Sequence, residues 1–186
     1  ASKVEALLNA LPSNVLARLP YPHQAVAVTG QGVAITGAAD MQTLGKNASG
    51  IKIGVIDLGF TSLSTSQASG DLPPTGPKLI LTDYTGTGTG GTNHGTNVAE
   101  IVYEMAPGAS LYLAKISTEV QLGQALDAMA AAGVKVINHS VAWYAAGFYD
   151  GTGPICDIAN SADTKGALWV NAMGNSRLKH YLATFT

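Results

Sequence analysis

From Gly50 onward the chain repeats one plan. Short runs rich in Val, Ile and Leu fall at 51–57, 78–81, 110–116, 134–141 and 167–172, and helical spacing appears between them at about 94–106, 119–132 and 153–165. Runs this short, apolar at successive positions, suit strands covered on both faces. Their alternation with helices predicts a parallel sheet joined by right-handed crossovers, an α/β fold with helices on both faces. Gly133 marks the stop of the second helix. Two stretches dense in Ser, Thr, Gly and Pro, 61–77 and 84–93, read as loops. Upstream, Val4, Leu7, Leu8, Leu11, Val15 and Leu16 have helical intervals that Pro12 interrupts, and Pro20 and Pro22 force an extended passage. Residues 24–36 alternate and read as short strand or loop, with a small helix expected near Ala38–Leu44.

Composition narrows the function classes. A chain of 186 residues, 46% hydrophobic, can bury one substantial core, so one domain or a large part of one is expected. Ten Lys and Arg against twelve Asp and Glu give a formal charge of −2 with no basic stripe, which argues against a nucleic-acid partner. No apolar run approaches the roughly 20 residues of a membrane span. Cys156 is alone, so neither an internal disulfide nor a thiolate zinc site is expected, and His23, His139 and His180 are too scattered to add ligand spacing. Residues 1–19 have amphipathic spacing rather than the apolar block of a secretory leader, so the chain is expected to be intracellular or to have lost its leader.

In an open parallel sheet, residues at the carboxyl ends of the strands converge along one edge. Asp57 closes the run Ile51-Lys-Ile-Gly-Val-Ile-Asp57 on that edge, and His94 opens a helix directly after a Gly-rich loop. A buried carboxylate that accepts a hydrogen bond from one imidazole nitrogen fixes the tautomer and leaves the other nitrogen free to take a proton. The run Gly166-Ala-Leu-Trp-Val-Asn-Ala-Met-Gly-Asn175 likewise delivers a side-chain amide to a strand end, where it could donate to a negative oxygen. Residues 86–91, Gly-Thr-Gly-Thr-Gly-Gly, superficially suggest a nucleotide loop, but they do not follow the first strand or open directly into its helix.

Three blocks, Asp57-Leu-Gly-Phe, Asn93-His-Gly-Thr-Asn-Val-Ala-Glu and Asn171-Ala-Met-Gly-Asn175, come in the order Asp, His, Asn. In that order, over about residues 46–176, the chain resembles the subtilisin-like serine proteases, the subtilase (peptidase S8) family. The resemblance implies a subtilisin-like α/β domain that hydrolyses peptide bonds in polypeptide substrates through a Ser-His-Asp triad and an acyl-enzyme. Asp57 would orient His94, His94 would act as general base and then acid, and Asn175 would hold the oxyanion. By the same likeness Ser140, Val141 and Ala142 would pair with substrate backbone, and Ala172, Met173 and Gly174 would form the opposite wall. No cofactor is required for that chemistry. Family members often bind structural calcium in surface loops, which leaves Asp71 and Asp83 as candidates, although no ligand spacing connects them. Members are commonly secreted and made with propeptides, so kinship alone points to an extracellular product.

The departures matter as much. Ala142, Trp143 and Tyr144 follow the cleft strand where the family usually has Gly, which reshapes the pocket, and His139 precedes Ser140 as a residue of the strand rather than of the catalytic set. The family nucleophile sits in Gly-Thr-Ser well downstream of the oxyanion Asn, and no Gly-Thr-Ser occurs in these 186 residues. The expectation is therefore an incomplete domain. Residues 1–45 would be a lead-in segment, read as a propeptide tail, and 46–186 the N-terminal part of a catalytic domain whose remaining C-terminal part carries the serine. The alternative is a non-catalytic binding or structural module that keeps the scaffold and lacks the nucleophile.

Overall fold

The computed structural model describes residues 30–143 and 150–175. The helical spacing over 3–18 that Pro12 interrupts, the extended passage at Pro20 and Pro22, and Tyr144 lie outside the described residues. In chain order the elements are α1 (Gln31–Ile35), α2 (Ala38–Thr43), β1 (Lys52–Asp57), α3 (Leu63–Ser69), β2 (Leu79–Asp83), α4 (His94–Met105), β3 (Ser110–Lys115), α5 (Glu119–Ala131), β4 (Val136–His139), α6 (Pro154–Thr164) and β5 (Leu168–Asn171).

The five strands form one sheet in the order β2-β3-β1-β4-β5, with every neighbouring pair parallel. Alternate residues of the central strand β1 serve opposite faces. Ile53 and Val55 join Phe60, Leu63, Leu72, Ala99, Leu111 and Leu113 on the face covered by α3 and α4. Ile56 joins Ala114, Leu122, Leu126, Met129, Ile137 and Ala162 on the face covered by α5 and α6. Each large side chain fully buried in this way contributes about 1.5–3 kcal/mol relative to exposure, so the sandwich of sheet between helices is what holds the domain. Local signals agree: the Thr118 hydroxyl accepts from the Gln121 N–H at 3.3 Å to cap α5, and Pro154 opens α6 where its missing N–H costs nothing. No helix among the described residues is long and apolar enough to cross a membrane.

Three expectations are corrected. The stretch 24–36 was expected to be strand or loop, yet Gln31–Ile35 is helical. Over 30–36 the alternation does not mark a strand, because Val33 is the residue that packs inward while the Gly30 N–H is tied to Glu104 at 2.9 Å; 24–29 lie outside the described residues. The loop expected over 61–77 contains α3, a polar helix whose buried residues are Leu63 and Ser66. Ser66 tolerates burial because its hydroxyl donates to the Glu100 carboxylate on α4.

The third correction concerns handedness. β2 to β3 and β3 to β4 step in the same direction across the sheet, but α4 covers one face and α5 the other. Two such crossovers must have opposite hands, so the right-handed rule, which holds in about 98% of cases, is broken here. The crossovers through α3, α5 and α6 share one hand, and the one through α4 is the exception. Its consequence is positional. Asp57 continues the Ile53, Val55 parity of β1, toward the face that α4 covers. A crossover of the usual hand would carry His94 to the other side of the sheet.

Candidate active site

The strand registers line polar residues along the carboxyl edge of the sheet. Asp83 on β2 stands level with Lys115 on β3, Lys115 is level with Asp57 on β1, and His139 on β4 is level with Asn171 on β5. Two of these groups are buried charges or their equivalents: Asp57 is 1% exposed and Lys115 3%. Ionisable groups so deep need partners, and the partners define the site.

Asp57 has two. Its Oδ1 accepts from the Leu58 N–H at 2.7 Å, and its Oδ2 lies 2.7 Å from His94 Nδ1. The carboxylate is sealed, whereas the His94 side chain is 52% exposed. One ring nitrogen therefore faces the buried acid and the rest of the imidazole faces solvent. A ring held by Nδ1–H presents Nε2 as a proton acceptor, the arrangement of a general base.

The backbone fixes that contact. The first turn of α4 carries no side-chain cap, and instead the His94 N–H donates to Thr92 Oγ1 at 3.2 Å and the Gly95 N–H to the Gly59 carbonyl at 3.0 Å. The segment leaving β1 is laced to the incoming loop by Phe60 N–H to Thr89 O (2.9 Å) and Thr61 N–H to Thr92 O (3.1 Å). Gly95 is required at this junction: a Cβ there would sit 2.6 Å from the Gly59 carbonyl oxygen, 2.7 Å from the Phe60 ring and 2.8 Å from the Asp57 Cβ. Gly91, at φ 104°, would meet the Leu58 carbonyl at 2.7 Å. Gly91 thus serves close approach to the β1 end, whereas Gly86 and Gly88, at φ 74° and 66°, supply left-handed backbone turns within the loop.

Lys115 and Asp83 grip the same loop from the other side. Lys115 Nζ donates to Thr87 Oγ1 at 2.5 Å and to the Gly88 carbonyl at 2.9 Å. The Asp83 carboxylate accepts from the Thr85 N–H (2.8 Å), the Thr85 hydroxyl (2.7 Å) and the Gly88 N–H (2.6 Å). The Thr85 hydroxyl, then the backbone donors and the Lys115 charge, hold Asp83 at about 2 against an ordinary 3.8, with burial opposing them. Asp83 spends its oxygens on this turn, and Asp71 accepts from the Ser69 hydroxyl. Among the described residues no three His, Cys, Asp or Glu side chains converge as a metal would need.

The remaining sequence candidates lie along the β4 and β5 ends. Ser140, Val141 and Ala142 leave β4, with the Ser140 hydroxyl donating to Asn138 Oδ1 at 2.9 Å. Ala172, Met173 and Gly174 leave β5 beside them, joined by the Ala172 N–H to the His139 carbonyl at 3.2 Å. Ala172 to Asn175 are exposed, Met173 at 96%. The structure brings Asp57 and His94 together, and joins the starts of the 140–142 and 172–174 stretches through the Ala172 to His139 backbone bond. No hydrogen bond links Asn175 to the Asp57–His94 pair. Sequence reasoning missed Lys115 and the surroundings of His139. The signal for Lys115 was present, since a lysine ending the apolar strand Ser110–Lys115 must find acceptors.

The structure thus sets a carboxylate-oriented imidazole on the carboxyl edge of a helix-covered parallel sheet. The chain belongs to the subtilase family, whose family model (peptidase S8) matches residues 48–184. A serine-protease type of function and a polypeptide substrate go with that membership. No curated protein matches the chain.

Proposed function

We propose that this chain supplies the base and the orienting acid of a serine endopeptidase, with the nucleophilic serine carried by sequence outside these 186 residues. The observation that carries the reading is the 2.7 Å contact between a sealed Asp57 oxygen and the Nδ1 of a solvent-facing His94. The serine hydroxyl attacks the scissile carbonyl carbon while its proton passes to His94 Nε2. Collapse of the tetrahedral intermediate breaks the C–N bond, and the same proton leaves with the amine. Water then repeats the two steps on the acyl-enzyme, returning the serine. Asn175 donates to the oxyanion, and the paired stretches 140–142 and 172–174 take the substrate as an added strand between them.

Full-length parent protein tests this directly. A serine-directed fluorophosphonate should label it, and His94→Ala should lower kcat by roughly 10⁶-fold, the magnitude established for subtilisin's own histidine. Hydrolysis unchanged in His94→Ala would overturn the reading. A second reading is a non-catalytic binding or structural module on the same scaffold that lacks the nucleophile. Full-length protein that resists the fluorophosphonate would support it.

A further inference from the structure

The chain has two tryptophans, and both lie against one buried histidine. His139 is 1% exposed. The Trp143 ring is within 9° of its plane with centroids 6.4 Å apart, and the Trp169 ring tilts across it at 5.1 Å and 38°. A chain of hydrogen bonds runs through the imidazole. Asn171 Nδ2–H donates to the Ala172 carbonyl at 2.7 Å, which turns Asn171 Oδ1 toward His139 Nδ1, also at 2.7 Å. An amide oxygen only accepts, so Nδ1 carries the hydrogen and Nε2 is bare. Into that bare nitrogen Trp143 Nε1–H donates at 3.2 Å. The indole only donates, so both ring nitrogens are used and only the neutral imidazole fits. A second proton would set N–H against N–H.

The ends of this chain of bonds sit on the two stretches assigned above to substrate. Trp143 follows Ser140–Ala142, and Ala172 opens the 172–174 wall. We propose that His139 is a positioning residue, which, by joining Trp143 to Asn171 and Ala172, fixes the separation of the two cleft walls and so sets how tightly extended peptide is held. The substrate part of this rests on the peptidase reading; the side-chain network does not. The groups facing His139 are Asn171 and Trp169 from β5 and Trp143 from the segment after β4, with the Asp57 carboxylate of β1 as the charge acting on it. Burial holds the imidazole below its ordinary 6.5, while the Asn171 oxygen and the Asp57 charge favour the proton. The folded state binds that proton less readily than the unfolded chain. The network is therefore intact at and above neutral pH and is lost as pH falls through a midpoint below 6.5.

Tryptophan emission of the 186-residue chain, titrated from neutral to acid pH, reads the network without any need for activity. Wild type and Trp169→Phe, which leaves Trp143 as the lone fluorophore, should each show one emission step with a midpoint below 6.5. His139→Gln, which keeps an acceptor for the indole but cannot titrate, should show none while its circular dichroism stays native. A wild type without the step, or the same step in His139→Gln, overturns the network whether or not the parent is a peptidase. In full-length protein, His139→Ala should raise KM several-fold with kcat nearly unchanged, and His139→Gln should recover most of that loss. Trp143→Phe, which keeps the ring and removes the donor, should raise KM in the same direction. An unchanged KM in His139→Ala overturns the positioning role. If the emission step is present but the parent hydrolyses no peptide, the peptidase reading fails and with it the substrate role, while the network stands.

Discussion

The two halves of the sheet edge are held in different ways. At the β1 end, His94 meets Asp57 because the backbone leaves no alternative: Gly59, Thr89, Thr92 and Gly95 are hydrogen-bonded to one another's segments, and Gly95 has no room for a Cβ. At the β4 and β5 ends, among the described residues, a single backbone bond, Ala172 N–H to His139 O, spans the two departing stretches, and side chains make up the rest. Interlocked backbone gives a rigid geometry, as the proton transfer proposed for His94 needs. Walls held by side chains can differ between relatives without disturbing the pair. The first region should therefore be intolerant of any added atom, and the second should answer chiefly to its hydrogen bonds.

The sharpest way to break that contrast is Gly95→Ala. In an isolated helix the change would gain up to about 1 kcal/mol of propensity. Here the new methyl falls 2.6 Å from a carbonyl oxygen and 2.8 Å from the Asp57 Cβ, and overpacking against backbone costs about 1–3 kcal/mol. Collision wins. Thermal melting should show a net loss of stability, and full-length protein should lose on the order of 10²-fold in kcat, since misplacement of a reacting group by about 1 Å has that effect. A variant as stable and active as wild type would show that the β1 end is no tighter than the rest.

A smaller effect should come from acid and from Asp83. Its folded pKa, about 2, lies below the ordinary 3.8, so the unfolded chain takes up the proton first and stability rises with pH through that window. The Asp83 contribution is complete above about 4 and disappears as pH falls through about 2. Protection of the Thr85 and Gly88 amides, relative to the intrinsic exchange rate at each pH, should fall over that range in wild type and should be low throughout in Asp83→Asn. Coincident exchange profiles would mean that the loop is held by Lys115 alone.

Much of this architecture is legible in the residues. The five apolar runs and the helical spacing between them give the sheet, its parallel sense and both helix layers, because short doubly covered strands leave little else to fold into. Asp57 and His94 are legible for the same reason: strand ends converge, and the residues around each follow a family pattern. α3 is not, since Leu63–Ser69 has no apolar stripe and depends on a Ser66–Glu100 bond made across 34 positions. The hand of the α4 crossover is not legible either, as it is a property of which face a helix takes. Lys115 with Thr87 and Gly88, and His139 with Asn171, are partners that strand register creates and no spacing rule anticipates.

Thr96 offers the smallest change and the finest test of the tight region. It is fully buried on α4, two residues after His94, and its hydroxyl has no hydrogen-bond partner among the described residues. A hydroxyl removed from water without compensation costs about 1–3 kcal/mol, whereas Val has the same branching and no polar atom to leave unsatisfied. Thr96→Val should therefore raise the unfolding free energy by about 1 kcal/mol, measured by urea denaturation with an unchanged m-value. Stabilisation with unchanged kcat would show that the site's rigidity comes from its backbone contacts alone. Destabilisation would mean that the hydroxyl has a partner, and the backbone would no longer account for the whole of the grip on His94.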